Sequence, residues 1–526
     1  MAVERRLAVQ DLSEFRLEWN SFWSWCNSRQ VPKHLYTADW AKLHNIKPLL
    51  KPKPGLPSLL LGEGPYHLPL RVYPTRTKPQ LGNVLTIGPS QCGKSTKEKA
   101  QIADWGGSVV VNDIKDELRP ATAGWRNVVG EGKVYTVDFT GRRAGNCFDP
   151  LEGRVTEGEL YRAAKHLLYN PEEKEKYWTQ RATWMLSRLF LAARILGLRP
   201  LPFVARLLPL GLNHAAARLG DISHELASSF LEAEYVPFKD YDGESRSRDD
   251  AWTTLSAALR PILTPDILRT FQGSDFSAED ILFSKEPVTV YFCWPEEELE
   301  DLQLLIKFVW ESLVHDIKRL CRLYPNRPRQ KLLLSLDEAG ITGLPRLPED
   351  IATLNGRGVS FSLTAQDIEQ FTTLYGQSRA KTLMNNIESK ITHRQASYDT
   401  IRYFQLLLDY KSGYAHSNNR HGELRSEGES EREVPLLTVR QFQELDDEDV
   451  VILYRDVPPI WARRLSVTVS PVLEKRLLML PPPLPALSAP PPFPAFPTYR
   501  RSLLGSGHYR ISAFATGYPI PLPASG

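Results

Sequence analysis

Residues 83–96, NVLTIGPSQCGKST, constrain the fold more than any other part of the 526-residue chain. The apolar run Val84–Ile87 reads as a short strand, and it leads directly into Gly88-x-x-x-x-Gly93-Lys94-Ser95. This is a phosphate-binding loop. Its two glycines permit backbone angles that a β-carbon forbids, so successive amide N–H groups can turn onto a polyphosphate, and a helix starting near Lys94 adds its positive dipole end. Gly88, Pro89, Ser90, Gln91, Cys92, Gly93, Lys94, Ser95 and Thr96 are therefore expected to cradle ATP. Lys94 would reach the β- and γ-phosphates, and the Ser95 hydroxyl would hold Mg2+. With glycine near 7% of average composition, a chance match in a chain this long is expected on the order of a few times in a hundred. A bare glycine turn is disfavoured further by the strand that precedes it.

Binding a nucleotide is not yet hydrolysis, and residues 331–338 (KLLLSLDE) supply what is missing. An apolar strand delivers Asp337 and Glu338 at its C-terminal end, expected beside the strand that bears the loop, where ligands bind in open α/β sheets. Asp337 would fix the metal through its water shell. Glu338 would orient or deprotonate the attacking water. An Asp after a core strand is often only a helix cap, but its pairing with the upstream loop favours chemistry.

The rest of the chain places these motifs. Strands are expected at 108–112, 134–139, 288–294, Leu332–Leu336, 360–364, 390–394 and 450–454, with helices between them. Near-continuous apolar strands alternating with helices predict a parallel sheet covered on both faces. From about 153 to 280 the strand signals vanish; Trp178, Ala182, Met185, Leu189 and Ala193 recur at helical spacing within 177–196, which predicts an all-helical insertion. Residues 412–433 have almost no apolar content and read as a long loop. Beyond 470, LPPPLPALSAPPPFPAFP at 480–497 predicts an extended, disordered tail. Phe15, Leu17, Trp19, Phe22 and Trp25 could form one helical face in a separate N-terminal segment. The expected organisation is thus 1–75 accessory, 76–152 and 281–466 nucleotide-binding, 153–280 inserted and 467–526 tail.

Composition excludes several alternatives. Residues 1–80 hold 12 Lys/Arg against 6 Asp/Glu, a mildly basic excess that is more often a solvated face than a binding surface. The five cysteines are far apart with no C-x-x-C pair, which argues against zinc and against a disulfide framework. No apolar core opens the chain as in a signal peptide. The nearest approach to a membrane span, 189–212, is broken by Arg194, Arg199, Arg206 and three prolines, so a soluble chain is expected.

The segment DEAGITGLPRLPEDIATLNGRGVSFSLTAQDIEQFTTLYG, starting at Asp337, resembles the second half of the motor domain in type IV secretion coupling proteins of the TraG/TraD type. Other blocks agree in order. Residues 109–126 (VVVNDIKDELRPATAGWR) resemble the family's Asp-x-Lys-Gly-Glu block and the Thr-x-x-x-Arg after it. FDPL at 148–151 resembles Asn-Pro-Leu, KYWTQRATWML an aromatic helix of the insertion, and 434–464 the closing block. Asp116 stands where the family has Gly, and Asp149 where it has Asn.

The resemblance, which covers about 80–465, implies an α/β fold: a RecA-like P-loop NTPase domain with a mainly parallel sheet plus an inserted all-α domain. It implies that Arg357 is an arginine finger toward the nucleotide of a neighbouring subunit and that Gln366 senses the γ-phosphate. It further implies an ATPase ring, a homo-hexamer, that moves single-stranded DNA with its attached relaxase, or a secreted protein, into the components of a type IV secretion channel. Coupling proteins usually begin with two transmembrane helices. Here none is expected, so placement at the inner face of the cell membrane would depend on a membrane-anchored partner bound to residues 1–75. Two other readings stay open at this stage: a chromosome-handling DNA translocase not tied to secretion, and a non-hydrolysing adaptor that uses nucleotide only to hold its shape.

Overall fold

The computed structural model describes residues 38–53, 56–168, 176–231, 246–421, 424–466 and 470–484. The expected helical face through Phe15 to Trp25 and the proline stretch beyond 484 lie outside these residues. Along the chain come helix α1 (Leu43–Leu50), strands β1 (Leu59–Glu63), β2 (Pro69–Val72) and β3 (Val84–Ile87), α2 (Lys94–Asp104), β4 (Ser108–Asp113), α3 (Leu118–Val129) and β5 (Val134–Asp138). Among the described residues, eight α-helices then follow one another: α4 (Glu157–Leu167), α5 (Lys176–Ile195), α6 (Pro200–Leu207), α7 (Leu212–Ile222), α8 (His224–Leu231), α9 (Arg246–Leu259), α10 (Pro265–Thr270) and α11 (Ala278–Phe283). The second sheet-forming part holds β6 (Thr289–Cys293), α12 (Leu299–Leu323), β7 (Leu332–Leu336), α13 (Ala339–Thr342), α14 (Leu347–Leu354), β8 (Val359–Ala365), α15 (Glu369–Asn385) and β9 (Ser389–Thr392). It ends with α16 (Tyr398–Leu408), β10 (Tyr410–His421), β11 (Leu424–Pro435), α17 (Val439–Gln443), β12 (Asp449–Tyr454), β13 (Val457–Arg463) and α18 (Pro471–Leu477).

Eleven strands form one sheet in the order β2-β1-β13-β12-β9-β3-β8-β7-β4-β6-β5. The seven from β9 to β5 run parallel. The other four extend the β9 side with antiparallel pairing. Side-chain alternation splits the core across the sheet: Leu85, Ile87, Val110, Leu334, Leu336 and Leu363 pack with α12 and the inserted helices. Val84, Val109, Val111, Leu333 and Tyr291 pack with Ile102 of α2 and with Leu118 and Ala123 of α3. Both faces are thus dry, which is why these strands read as continuous apolar runs.

Three expectations need correction. Residues 59–72, assigned to a separate N-terminal segment, pair through β1 and β2 into the main sheet, with Glu63 opposite Arg463. Their short length, with Gly62 and Pro69 inside, hid an edge-strand signal. Residues 412–433, expected as a loop, lie within the antiparallel ribbon β10–β11, in continuous register from Tyr410↔Pro435 to His421↔Leu424. Backbone pairing does not depend on apolar content, and a two-stranded ribbon apart from the main sheet gives no alternating apolar pattern to read. The expected tail begins instead with a docked segment. Leu473 of α18 packs with Leu60, Ala100 and Leu465. Arg476 pairs with Asp104 at 3.0 Å and lies over the Trp125 ring. Gly124 leaves room for the chain to cross α3, since a β-carbon there would meet the Met479 carbonyl oxygen at 2.2 Å.

The Thr-x-x-x-Arg block acquires a structural explanation. Arg126 is fully buried. It donates to the carbonyls of Trp105 (2.5 Å) and Gly107 (2.6 Å) and to Thr289 Oγ1 (2.8 Å), tying α3 to the start of β4 and β6. Burial pulls its pKa down to about 10. Thr122, one turn earlier, meets Tyr291 Oη at 2.7 Å. Arg126→Met is expected to lower stability by about 3 kcal/mol, because buried carbonyls are left unpaired. A urea titration followed by circular dichroism measures this, and a midpoint unchanged from the parent contradicts the assigned role.

Candidate functional site

The phosphate loop leaves the C-terminal end of β3. The Gly88 N–H donates to the Ala365 carbonyl of β8 at 3.2 Å, and a β-carbon on Gly88 would meet Cys92 Sγ at 2.5 Å and His393 Cβ at 2.9 Å. Gly93 caps α2 with φ 105°, and Gln91 also has positive φ, at 64°. The loop is therefore curled on itself before α2 begins. Pro89, Ser90 and Gln91 form its outer rim, Cys92 and Thr96 are half-buried, and Lys94 is buried. The Lys94 ammonium folds back onto the loop, donating to the Gly88 and Pro89 carbonyls at 2.6 and 2.8 Å. A polyphosphate entering the cradle would replace those two acceptors.

Beneath the loop, α2 is locked to the sheet by a buried polar cluster. Glu98 accepts from Ser335 of β7 at 2.6 Å and Ser362 of β8 at 2.8 Å, while the Lys97 ammonium lies 3.4 Å from Glu98 and donates to Ser362 at 3.0 Å. Burial pulls the Lys97 pKa down, opposed by Glu98. The loop-bearing helix and the two strands that carry the remaining site residues are thus held as one body.

Asp337 and Glu338 follow β7, which is not next to β3 as expected. Strand β8 lies between them. Apolar content alone could not reveal this order, because β3, β7 and β8 are all buried along their whole length and carry no mark of which lies next to which. The displacement is two strand spacings, about 10 Å, and it places Gln366, just past the end of β8, between the loop and the carboxylates. Asp337 and Glu338 are level with that end: Thr364 Oγ1 donates to Asp337 Oδ1 at 2.7 Å and accepts the Glu338 N–H at 2.9 Å. The Gln366 N–H is held by Gln370 Oε1 at 3.0 Å.

Both carboxylates are buried, and each keeps one oxygen, Asp337 Oδ2 and Glu338 Oε2, without a hydrogen-bond partner. Burial foremost, with the Glu338 and Glu98 charges adding and the Thr364 bond opposing, pushes the Asp337 carboxyl up to about 7. A proton or a cation would neutralise such a group. Asp337 and the Ser95 hydroxyl would offer a cation oxygen ligands only, a set that suits Mg2+. The group Asp113, Asp116 and Cys293 also brings ligand atoms within 4.8 Å of one another. Its acids are otherwise engaged: Asp113 accepts the N–H groups of Glu117, Leu118 and Arg119, and Asp116 pairs with Arg143 at 2.8 Å.

Arg357 is not among the residues brought together. It precedes β8, with its guanidinium on the Lys318 carbonyl at 3.1 Å, whereas Gln366 follows the same strand. Seven residues of strand separate them by about 23 Å. Arg357 therefore faces away from its own phosphate loop.

Several residues around the loop carried no expectation. His393, at the end of β9, is buried against Gly88; burial first, then the Lys94 and Arg464 charges, push its pKa down to about 3, so the ring is neutral. Arg464 reaches the Cys92 carbonyl at 3.5 Å. Lys115 pairs with Glu338 at 2.8 Å. Glu117 holds Lys99 at 2.7 Å and is within hydrogen-bonding reach of the Ser95 hydroxyl. Burial would raise the Glu117 carboxyl, but these two bonds and the Lys99 and Lys115 charges bring it below its ordinary value. The advance signals were the 109–126 block for Lys115 and Glu117 and the 434–464 block for Arg464, and neither gave these residues a role.

Comparison with known proteins follows the same pattern. Residues 72–467 match the family described as type IV secretory system conjugative DNA transfer. A conjugal transfer protein TraG of Escherichia coli is 26% identical over 322 residues, covering 55% of this chain and 48% of the relative. Protein VirD4 of Rhizobium radiobacter is 22% identical over 433 residues, covering 77% of this chain and 60% of the relative. The chain thus spans about half the length of the first of these relatives and three fifths of the second. Among solved structures, the bacterial conjugative coupling protein TrwBdeltaN70 aligns with TM-score 0.58 at 15% identity, over 82% of this chain and 94% of that one. Plasmid coupling protein TrwB in complex with ADP and Mg2+ aligns with TM-score 0.54 at 16% identity, over 82% and 94%. The shared fold is a RecA-like P-loop NTPase with a mainly parallel sheet and inserted helices. Among the described residues, no helix is long and apolar enough to cross a membrane.

Proposed function

Because the chain belongs to the type IV secretory system conjugative DNA transfer family, we propose that it is a P-loop ATPase that couples ATP hydrolysis to movement of single-stranded DNA with its relaxase, or of a secreted protein, into a type IV secretion channel. The observation that carries this reading is the buried, unpartnered Asp337 oxygen on the same sheet edge as the phosphate loop. ATP would lie along that edge, its phosphates in residues 88–96, with Lys94 turned from the loop carbonyls to the β- and γ-phosphates. Ser95 and Asp337 would hold Mg2+, which when bound neutralises phosphate charge. The complexes of TrwB with the ATP analogue ADPNP and with ADP and Mg2+ support both cofactors. Glu338 would orient the attacking water and take its proton, and Gln366 would report the γ-phosphate to the sheet.

Arg357 would serve the neighbouring subunit's nucleotide in a homo-hexameric ring. The helical segment 153–280 would form the face that recognises cargo. A membrane-anchored partner would bring the ring to the inner face of the cell membrane. Contact with DNA would be mostly with phosphate, and so would weaken as salt rises.

Hydrolysis of ATP by the full chain, measured with and without single-stranded DNA, tests the proposal. Activity is expected to require Mg2+, to rise with DNA and to vanish with nucleotide binding in Lys94→Ala. A parent chain that binds ATP and hydrolyses none in either condition overturns it.

A further inference from the structure

The segment between β4 and α3 touches the water-activating carboxylate, yet sequence reading gave it no function. Strands β4 and β7 are paired in parallel with Asn112 opposite Leu336, so residues 113–117 rise beside Asp337 and Glu338. The segment is anchored at both ends. Asp113 caps α3 through three backbone N–H groups, and Arg143 bridges Asp116 (2.8 Å) and Asp138 (2.6 Å). Between these anchors Lys115 extends its ammonium to Glu338 Oε1 at 2.8 Å. Glu338 has left-handed backbone angles, φ 48° and ψ 47°, a conformation that a non-glycine residue keeps only where its surroundings impose it. Its second oxygen, Oε2, is buried and has no partner.

We propose that Lys115 is a positioning residue for ATP hydrolysis: by holding Oε1 it fixes the rotation of the Glu338 carboxylate and leaves Oε2 alone to receive the attacking water. The physical basis is that a carboxylate free to rotate presents either oxygen over a range of angles, whereas a charge-assisted bond at one oxygen selects a single orientation of the other. The pair is also too enclosed to be an incidental surface contact, since the Glu338 side chain is only 4% exposed. Glu117, two residues on, lies against Ser95. One rigid segment therefore borders both the metal-holding hydroxyl and the water-activating acid.

The inference rests on the assignment of Glu338 under the proposed function, and the experiment separates the two. In the full chain, Lys115→Met is expected to lower kcat at least tenfold while the Kd for a fluorescent ATP analogue with Mg2+ stays within twofold. Lys115→Arg is expected to recover most of the rate, because it restores a cationic donor. Single-turnover measurements should show Lys115→Met combined with Glu338→Gln to be no slower than Glu338→Gln alone, since the lysine acts only through the glutamate. Unchanged or faster turnover in Lys115→Met overturns the proposal. So does weakened nucleotide binding, which would make Lys115 a phosphate ligand, and so does an additive loss in the double variant. If Lys115→Met does not fold by circular dichroism, Lys115→Leu, which likewise has no donor, takes its place with the same criteria. If Glu338→Gln itself turns over at the parental rate, the functional assignment fails whatever Lys115 does.

Discussion

Glu338→Gln is expected to bind ATP as tightly as the parent chain and to hydrolyse it about a thousandfold or more slowly. The substitution keeps the size of the side chain and an oxygen to accept from Lys115, and the backbone N–H of residue 338 still donates to Thr364 Oγ1. What disappears is the negative charge that draws a proton from water, a contribution of about a hundred- to ten-thousandfold for a positioned general base. Phosphate binding depends on other groups: the loop amides and Lys94. Equilibrium binding of a fluorescent ATP analogue alongside steady-state phosphate release separates the two effects. Parental phosphate release would remove Glu338 from the mechanism.

Arg357→Ala is expected to lower turnover by about a thousandfold, the lower end of what arginine fingers supply, without weakening ATP binding by the same chain. The geometry behind this is the separation along β8, which puts the guanidinium at the opposite sheet edge from its own phosphate loop. A planar, permanently charged group stabilises developing phosphoryl charge only within contact distance. It can do so here only on another subunit. Mixing Arg357→Ala with Lys94→Ala should therefore restore part of the activity, because some interfaces pair an intact loop with an intact finger. Neither variant alone can form such an interface. Failure of the mixture to exceed the sum of its components would count against action between subunits.

The features legible in the sequence were those whose chemistry is local. The phosphate loop needs a strand, two glycines and a lysine in one short run, and Asp337 and Glu338 needed only the apolar strand before them. Both end up on one sheet edge. Strand order was not legible, because Val84–Ile87, Leu332–Leu336 and Val359–Ala365 are buried on both faces and carry no mark of which lies next to which. Strands β1, β2 and β13, on the antiparallel side of the sheet, were missed for a different reason: four to seven residues interrupted by Gly62, Pro69, Pro458 and Pro459 give too short a pattern. Lys115, His393 and Arg464 were invisible because tertiary packing makes their contacts. Lys115 meets Glu338 across 223 residues of chain. The ribbon β10–β11 shows the limit of reading polarity as irregularity, since a hydrophilic stretch can pair its backbone as regularly as an apolar one.

Strand β8 is braced on both sides by parallel neighbours and has little slack along its length. If Gln366 shifts with a γ-phosphate, the strand would carry that shift toward Arg357 at its other end. Each protomer would then contain its own push-rod, with the occupancy of one pocket setting how far the guanidinium projects into the next.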